Sequence, residues 1–391
     1  MIKNISKLDL VIKIGDVHAG CYSNSSEWFD NTKQLIYGFI IPFVKHVIKK
    51  YPDRNVKVLF MGDWFDIKQA VSTIIENESI TMMEKLAELC DILGIIGNHD
   101  CPSPNNTEIN SVRCFYHIEG VQFYPKPTVL ETVLGEKVLL MSYNSTKEKE
   151  KEIIDSFEAD YLCCHTEIAG FHYEGKPVEE SKHNHIEDFK KFKRVYSGHI
   201  HKKQSKDNIL FMGTPRQVRA NELNNENGIY LVDYKNQKEF FIENTLSPKF
   251  KAINIFTLMN MKLSEANEYV KNAYVTVVCP SNLMYKLSPY KINGVLSDYK
   301  NIDHKTLSDG IEKWNPLNPP GGFPIVESGG IDLESISIPN RLRAFIEQLE
   351  NVKIGKQFIG LNESVKPKLV EYIDRLYKAA DTKVGAAEMD M

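Results

Sequence analysis

Several things are missing from this 391-residue chain, and each absence excludes something. No run of about 18 apolar residues occurs, so no membrane span is expected. The opening residues, Met1-Ile-Lys-Asn-Ile-Ser-Lys7, lack the apolar stretch of a secretory leader. Cysteine is sparse and odd in number, seven in all. Only Cys163 and Cys164 are neighbours, and in an extended segment adjacent side chains point to opposite faces. A disulfide framework is therefore not expected, and a reduced, cytoplasmic setting is. Neither sign of charge dominates: 48 Lys and Arg stand against 52 Asp and Glu, a net charge of −4. Any contact with nucleic acid must then come from a local basic patch. No repeat of solenoid period is present.

What is present is a core-forming composition, 42% hydrophobic, long enough for two domains or one large domain with an appendage. Its organising feature is a set of five short apolar runs, each ending in the same kinds of polar residue. Val11–Ile14 leads through Gly15 to Asp16 and His18. Val58–Met61 leads to Gly62-Asp63-Trp64-Phe65-Asp66. Ile92–Ile96 leads to Gly97-Asn98-His99-Asp100. Tyr161–Cys164 leads to His165, and Val195–Ser197 leads to Gly198-His199-Ile200-His201. Runs of this length and composition read as buried strands. Residues two apart in an extended segment point the same way, so Asp16 with His18, and His199 with His201, could each reach a common ion.

Between these runs, Lys33 to Lys50 has helical periodicity with Pro42 inside it, which predicts a kink or break. Gln69 to Asp91 carries a second helical pattern that would cover a sheet. Lys147 to Phe157 reads as a short charged helix, Val121–Tyr124 and Lys137–Ser142 as strands of a second sheet, and Gly228–Tyr234 with Glu239–Glu243 as a closing hairpin. Composition shifts after Pro248. The expected divisions are 1–248 as the main domain, 249–311 as a small α/β unit, 312–335 as a Pro/Gly-rich linker, 336–379 as a helical segment and 380–391 as a tail. In that segment Leu342, Phe345, Ile346 and Leu349 share one helix face. Val365, Leu369, Ile373 and Leu376 share another, after the N-cap candidate Ser364.

Taken together, the strand-end groups are Asp16, His18, Asp63, Asn98, His99, His165, His199 and His201. A single histidine in such a place is usually structural, but turn chemistry does not account for five such ends. Imidazole mixed with carboxylate and no thiolate suits Mn²⁺, Fe²⁺ or Zn²⁺. So many groups exceed the needs of one ion and suit two ions sharing a carboxylate.

The order Asp-x-His, Gly-Asp-x-x-Asp, Gly-Asn-His-Asp, a lone His, then Gly-His-x-His resembles the calcineurin-like metallophosphoesterases over residues 10 to about 245. Asp66 is followed by Ile67-Lys68, not by the Arg-Gly of the phosphoprotein phosphatases. Gly213-Thr214-Pro215-Arg216-Gln217 and Asn227-Gly228-Ile229-Tyr230 are similar to the SbcD-type DNA repair nucleases, above all those of T-even-like phages.

The resemblance implies an α/β (α+β) fold, a two-sheet β-sandwich flanked by helices in four α-β-β-α layers, with a capping domain and C-terminal helices. It implies a nuclease with exonuclease and endonuclease activity, acting in recombination, repair and replication in the (host) cytoplasm. Two divalent ions, Mn²⁺ first and Mg²⁺ second, are implied: Asp16, His18 and His201 on one, Asn98, His165 and His199 on the other, Asp63 between them. His99 would meet the scissile phosphate or protonate the leaving oxygen, and Asp100 would orient it through a hydrogen bond. Asp66 would stand behind the ligands. The implied partners are double-stranded DNA ends and single strands, an SbcC-type coiled-coil ATPase, and a second copy of the chain.

Lys202, Lys203, Arg216 and Arg219, with Lys190, Lys191, Lys193 and Arg194, are the candidate contacts to DNA phosphates. Leu342, Phe345, Ile346, Leu349, Leu369 and Ile373 are the candidate anchors for the ATPase. His183 and His185 lack a preceding apolar strand and read as surface residues. A small-molecule phosphodiesterase or phosphatase would leave the cap and terminal helices without a reason. A non-catalytic scaffold would leave the His99-Asp100 pair without one.

Overall fold

The structure, a computed structural model, describes residues 7–254 with short breaks at 69, 104–105, 145, 174–175 and 224, together with 257, 263–278, 351–354 and 357–360. Two compact units are present, Met1–Pro316 and Leu317–Met391.

The first unit is built on two six-stranded sheets. One has the order β14 (Lys238–Glu243), β13 (Gly228–Asp233), β1 (Leu10–Ile14), β2 (Val56–Phe60), β3 (Asp91–Ile95), β4 (Val121–Tyr124). The other has the order β11 (Gln204–Lys206), β12 (Ile209–Phe211), β10 (Arg194–Ser197), β7 (Tyr161–Cys164), β6 (Lys137–Met141), β5 (Thr128–Glu131). Strands β1 to β4 are parallel, as are β6, β7, β10 and β12, while β13 and β14 close one edge of the first sheet and β11 and β5 both edges of the second in antiparallel pairs. A further short parallel pair joins β8 (Ile168–Ala169) to β9 (Asn184–His185).

Alternation along the strands makes the layers. Ile12, Val58, Phe60 and Ile92 face the helices, which add Val44, Val47, Met82, Met83 and Leu86. Val11, Leu59, Met61 and Leu93 meet Val138, Leu140, Cys163, Tyr196 and Leu210 between the sheets. Leu139, Leu162, Cys164 and Val195 face outward under Ile154, Ile186 and Phe189. Cys163 and Cys164 therefore lie on opposite faces, and the described cysteines are free. This is the mixed α/β, two-sheet architecture the sequence led us to expect, except that Val121–Tyr124 pairs with β3 in the first sheet and not in the second.

The helix expected over Lys33–Lys50 starts earlier and is not uniform. Ser25 caps it, accepting the Trp28 N–H. Helix Ser26–Lys33 then runs into a π-helical stretch, Gln34–Ile40, before helix Ile41–Lys50. Pro42 has no N–H for the carbonyl four residues back, and its ring crowds that carbonyl. The preceding turn widens instead, and the Ile41 N–H reaches Ile36 O. The second helix is shorter than its pattern, Thr73–Ala87, and its buried Ile75, Met82, Met83 and Leu86 cover the sheet.

Beyond Pro248 the packing continues. Strands β15 (Lys249–Asn254) and β16 (Ala273–Val278) pair in parallel, with helix Leu263–Val270 between them in sequence. Tyr274 stacks on Trp28 at 4.2 Å and Phe250 lies 5.3 Å from the same ring. The second unit contains an antiparallel hairpin, β17 (Asn351–Ile354) and β18 (Gln357–Gly360). It falls within the 336–379 segment expected to be helical, between its two helical patterns. The ATPase anchors Leu342, Phe345, Ile346, Leu349, Leu369 and Ile373 lie outside the described residues. Among the described residues no helix is long and apolar enough to cross a membrane.

Candidate metal centre

Every strand-end group of the sequence lies just past the C-terminal end of a parallel strand: Asp16 and His18 after β1, Asp63 after β2, Asn98 and His99 after β3, His165 after β7, His199 and His201 after β10. These ends all open at one end of the sandwich, the side where α/β sheets present their ligand sites. Turns there depart from extended geometry. His18, Asp63 and His199 all have positive φ, of 49°, 51° and 79°. Such conformations are uncommon for side-chain-bearing residues and concentrate at functional sites. The extended i, i+2 argument therefore does not explain how these groups meet. His199 and His201 part into different groups, while Asp16 and His18 converge through a left-handed bend.

Three overlapping clusters result: Asp16, His18 and His201; His18, Asp63 and His99; Asp63, His165 and His199. Asn98 Oδ1 joins the third, 2.9 Å from His165 Nε2 and 2.8 Å from His199 Nδ1. Asp63 Oδ2 lies between the groups, 3.3 Å from His165 Nε2 and 3.8 Å from His18 Nε2.

Four imidazoles share one arrangement. The outward nitrogen of each faces an acceptor: His165 Nδ1 at 2.8 Å from Met61 O, His199 Nε2 at 2.8 Å from Glu167 Oε1, His201 Nδ1 at 2.6 Å from Glu222 Oε1, and His18 Nδ1 at 2.9 Å from Asp66 Oδ1. An acceptor on one nitrogen selects the tautomer that turns the other lone pair inward. The inward nitrogens then face one another, His201 Nε2 and His18 Nε2 at 2.9 Å, His199 Nδ1 and His165 Nε2 at 3.2 Å. Among the described residues, buried Asp16 Oδ1 has no hydrogen-bond donor, while Oδ2 accepts the His199 N–H at 2.8 Å. Imidazole lone pairs and carboxylate oxygens converging in this way are what two cations would neutralise, and the oxygen and nitrogen ligand atoms fit hard to borderline divalent ions.

Space for this convergence depends on glycine. A Cβ on Gly97 would stand 2.1 Å from Asp63 Oδ1, and one on Gly198 would stand 2.6 Å from Asp16 Oδ1. Both carboxylates sit in cradles that only hydrogen leaves open.

The charge state of the metal-free cluster follows from its burial. Burial pushes Asp16 up to about 7, opposed by His165. Burial holds His18 down at about 4. Burial also works against charge on His165, but the carboxylates of Asp63 and Asp16 outweigh it and raise the imidazole to about 10. Asp63 is held below the usual carboxylate range because His165 and His18 outweigh its own burial. A proton on His165 therefore takes a cation's place when none is bound.

Asp100 does not hold the His99 ring. Its buried carboxylate accepts backbone N–H groups from Asp63 (2.8 Å), Gly97 (2.9 Å), Trp64 (3.1 Å) and Phe65 (3.3 Å), tying the loops after β2 and β3 together. The ring is held instead by the Asp66 carbonyl, 2.5 Å from Nδ1, and the His99 N–H donates to Asp63 Oδ1 at 2.7 Å. Asp66 thus serves two residues, its side chain behind His18 and its carbonyl behind His99.

The basic candidates divide by place. Arg216 is a correction: it is 2% exposed, and its guanidinium donates to Val17 O and Thr32 Oγ1, so it is internal scaffolding and not a DNA contact. Arg219 is exposed, with Nη2 3.9 Å from Asp66 Oδ1, and Lys202 is exposed directly after His201. Lys203 pairs with Glu226 and lies 3.9 Å over the Phe241 ring. Lys191, Lys193 and Arg194 are engaged at the start of β10, away from the metal ligands: Lys191 with the Phe157 carbonyl, Lys193 with Glu136 and Asp160, Arg194 with Glu239. Lys190 is also there, 3.7 Å from Glu187.

Sequence reasoning missed Glu167 and Glu222. Glu167 stands two residues after His165, a spacing open to notice. Glu222 is distant from every motif and carries no local signal.

A two-sheet sandwich with paired metal positions at its strand ends defines a metal-dependent phosphoesterase, and the chain belongs to the calcineurin-like phosphoesterase family, whose model matches residues 11–234. Members bind two divalent metal ions, and the protein is a hydrolase of that superfamily. Among curated proteins it is similar to exonuclease subunit 1 of Enterobacteria phage T4, 27% identical over 246 residues, 60% of this chain and 67% of that protein. Solved structures similar to it include an archaeal phosphodiesterase (13% identity, TM-score 0.30, 60% of this chain and 99% of that one). Another is a putative 5′-nucleotidase from Staphylococcus aureus (14% identity, TM-score 0.35), of which the match spans 52% against 60% of this chain.

Proposed function

We propose that this protein is a two-metal DNA nuclease that hydrolyses phosphodiester bonds with Mn²⁺. The observation that carries the reading is the sharing of Asp63 between two groups of convergent nitrogen and oxygen ligands, with the His99 imidazole beside them but outside the Asp16 and His165 groups. Asp16, His18 and His201 would hold one ion, Asn98, His165 and His199 the other, and Asp63 both. When bound, such ions supply an activated water near neutral pH and draw charge from the phosphate oxygens.

The chain's own residues do the rest. His99 is held through Nδ1 by the Asp66 carbonyl, which leaves Nε2 free to face the departing oxygen, and the doubly protonated ring would donate its Nε2 proton there. Asp100 fixes the two loops that carry Asp63 and His99. Arg219 and Lys202 sit at the rim to meet DNA phosphates. Nucleic acid as the substrate is supported by likeness to a phage exonuclease subunit; DNA, a role in recombination or repair, and a coiled-coil ATPase partner are what the sequence resemblance to SbcD-type nucleases implies.

The test is degradation of end-labelled double- and single-stranded DNA with Mn²⁺ by the wild type beside His99→Ala. Degradation by the wild type and none by the variant is expected. Equal degradation by both would overturn the role of His99, and no degradation by either, with or without the ATPase and ATP, would overturn the nuclease reading. Truncation after about residue 330 is expected to abolish co-purification with the ATPase and leave metal binding intact; unchanged co-purification would sink the partner assignment.

A further inference from the structure

The pairing of β8 with β9 places two residues side by side that the sequence separates by a long polar loop. Ile168 is registered with Asn184 and Ala169 with His185 in parallel. The residues immediately before each strand, Glu167 and His183, are therefore neighbours. Their side chains meet, His183 Nε2 at 2.9 Å from Glu167 Oε2. The other carboxylate oxygen, Oε1, accepts from His199 Nε2 at 2.8 Å. Tyr173, on the same loop, bonds Glu167 and brings its hydroxyl to 3.3 Å from His199 Nε2. Glu167 is thus a hub for three side chains, with its own side chain 21% exposed and that of His183 24% exposed.

The other group is backed differently. Glu222, 1% exposed, accepts from His201 Nδ1 at 2.6 Å and from the Val218 N–H at 2.7 Å. Among the described residues, none of its hydrogen bonds involves residues 172–183.

We propose that Glu167, held by His183 and Tyr173, is the positioning residue for His199, so that the loop ending at His183 sets the affinity of one metal position independently of the other, which is backed by Glu222. This rests on the two-metal reading above. A carboxylate on the outward nitrogen fixes the ring and raises the basicity of the inward one, and losing it commonly costs about 10–100-fold in metal affinity. His183, a step further out, acts by keeping Glu167 in place, so its loss has a smaller effect on the same ion. No proton or electron transfer is invoked.

The experiment is calorimetric titration of the metal-free full chain with Mn²⁺. The wild type is expected to bind two equivalents. Glu167→Ala should weaken one equivalent by about 10–100-fold and leave the other in place. His183→Ala should weaken that same equivalent by less and add little in the Glu167→Ala background, because the two act in series. Glu222→Ala added to Glu167→Ala should weaken the second equivalent as well. Metal-free far-UV circular dichroism reports folding; should Glu167→Ala fail to fold, His183→Ala and Tyr173→Phe carry the test. Two unaltered equivalents in Glu167→Ala, or in both of those substitutes, would overturn the proposal while leaving the metal site intact. A wild type binding fewer than two equivalents would overturn the underlying reading instead.

Discussion

The two ends of the sandwich use the same chemical groups in opposite ways. At the end where the parallel strands begin, charges are matched. Arg54 forks onto Asp9, with Nη2 at 2.6 Å from Oδ1 and Nε at 2.7 Å from Oδ2, and reaches Asp233 at 2.7 Å. Lys193 joins Glu136 and Asp160 at 2.7 and 2.9 Å, and Arg194 meets Glu239 at 2.6 Å. At the end where those strands finish, Asp16, Asp63 and four imidazoles converge with no lysine or arginine among them, on backbone that is left-handed at three of the positions. Matched charges close one end. At the other, no lysine or arginine matches the carboxylates, and a proton on His165 stands in for a cation until an ion replaces it.

The largest effect should come from dismantling the unmatched end. Asp63→Asn removes a carboxylate shared by both groups, and Mn²⁺-dependent phosphodiester hydrolysis should fall by at least about 10³-fold. The same change should also lower metal-free stability, because Asp63 is the main partner of the buried His165 imidazolium when no ion is bound. Activity and metal-free thermal unfolding measured on one preparation check both halves. Unchanged metal-free stability would sink the pairing of Asp63 with His165.

At the matched end only stability should respond. Arg54→Ala leaves Asp9 and Asp233 facing each other, both largely buried. Unfolding free energy should drop by about 3 kcal/mol, as for a part-buried pair that loses its cation. Mn²⁺ affinity should not change. Denaturant unfolding and Mn²⁺ titration together read the result, and a shift in Mn²⁺ affinity would mean the two ends are coupled through the sheets.

How much of this was legible in the sequence follows the same division. Strand-end ligands could be read because apolar runs and the polar residues after them are local signals, and each strand falls within a residue or two of its pattern. What the ligands lean on could not. Glu222 reaches His201 through a turn that no periodicity encodes, and Asp100 serves four backbone N–H groups although its neighbour in sequence is His99. Arg216 stands beside an exposed arginine in a basic stretch, yet the chain folds it under Val17 and Thr32. Composition cannot separate a buried guanidinium from a free one. The hairpin at 351–360 is the opposite case: two four-residue runs rich in β-branched and aromatic residues, two residues apart with Gly first, form a recognised hairpin signal overshadowed by stronger helical patterns on either side.

A third, intermediate effect concerns protons. In the metal-free site His165 is raised to about 10 and Asp16 to about 7, so near pH 8 His165 carries a proton that a bound ion must displace. Metal binding should release about one proton there, and affinity should fall about tenfold for each pH unit lowered. Below about 7 Asp16 must lose its proton too, and the slope should steepen. Calorimetry in buffers of different ionisation enthalpy counts the protons, and an affinity independent of pH between 6 and 9 would contradict this charge assignment.

The smallest effect tests whether the unmatched end extends to its rim. Arg219 is half-exposed, and the nearest carboxylate oxygen, Asp66 Oδ1, is 3.9 Å from its Nη2, so the guanidinium is not committed as Arg54 is. A rim cation of this kind should contact one DNA phosphate. Arg219→Ala should then lower DNA affinity several-fold at moderate salt and reduce the slope of log affinity against log salt by about one. Mn²⁺ binding should be nearly unaffected, since Asp66 keeps its place behind His18 at 2.9 Å without help from the arginine. Arg216→Ala is the matched control from the same stretch: it should cost stability and leave the salt slope alone, because its guanidinium never meets solvent. A reduced slope in Arg216→Ala with none in Arg219→Ala would reverse the assignment of rim and scaffold.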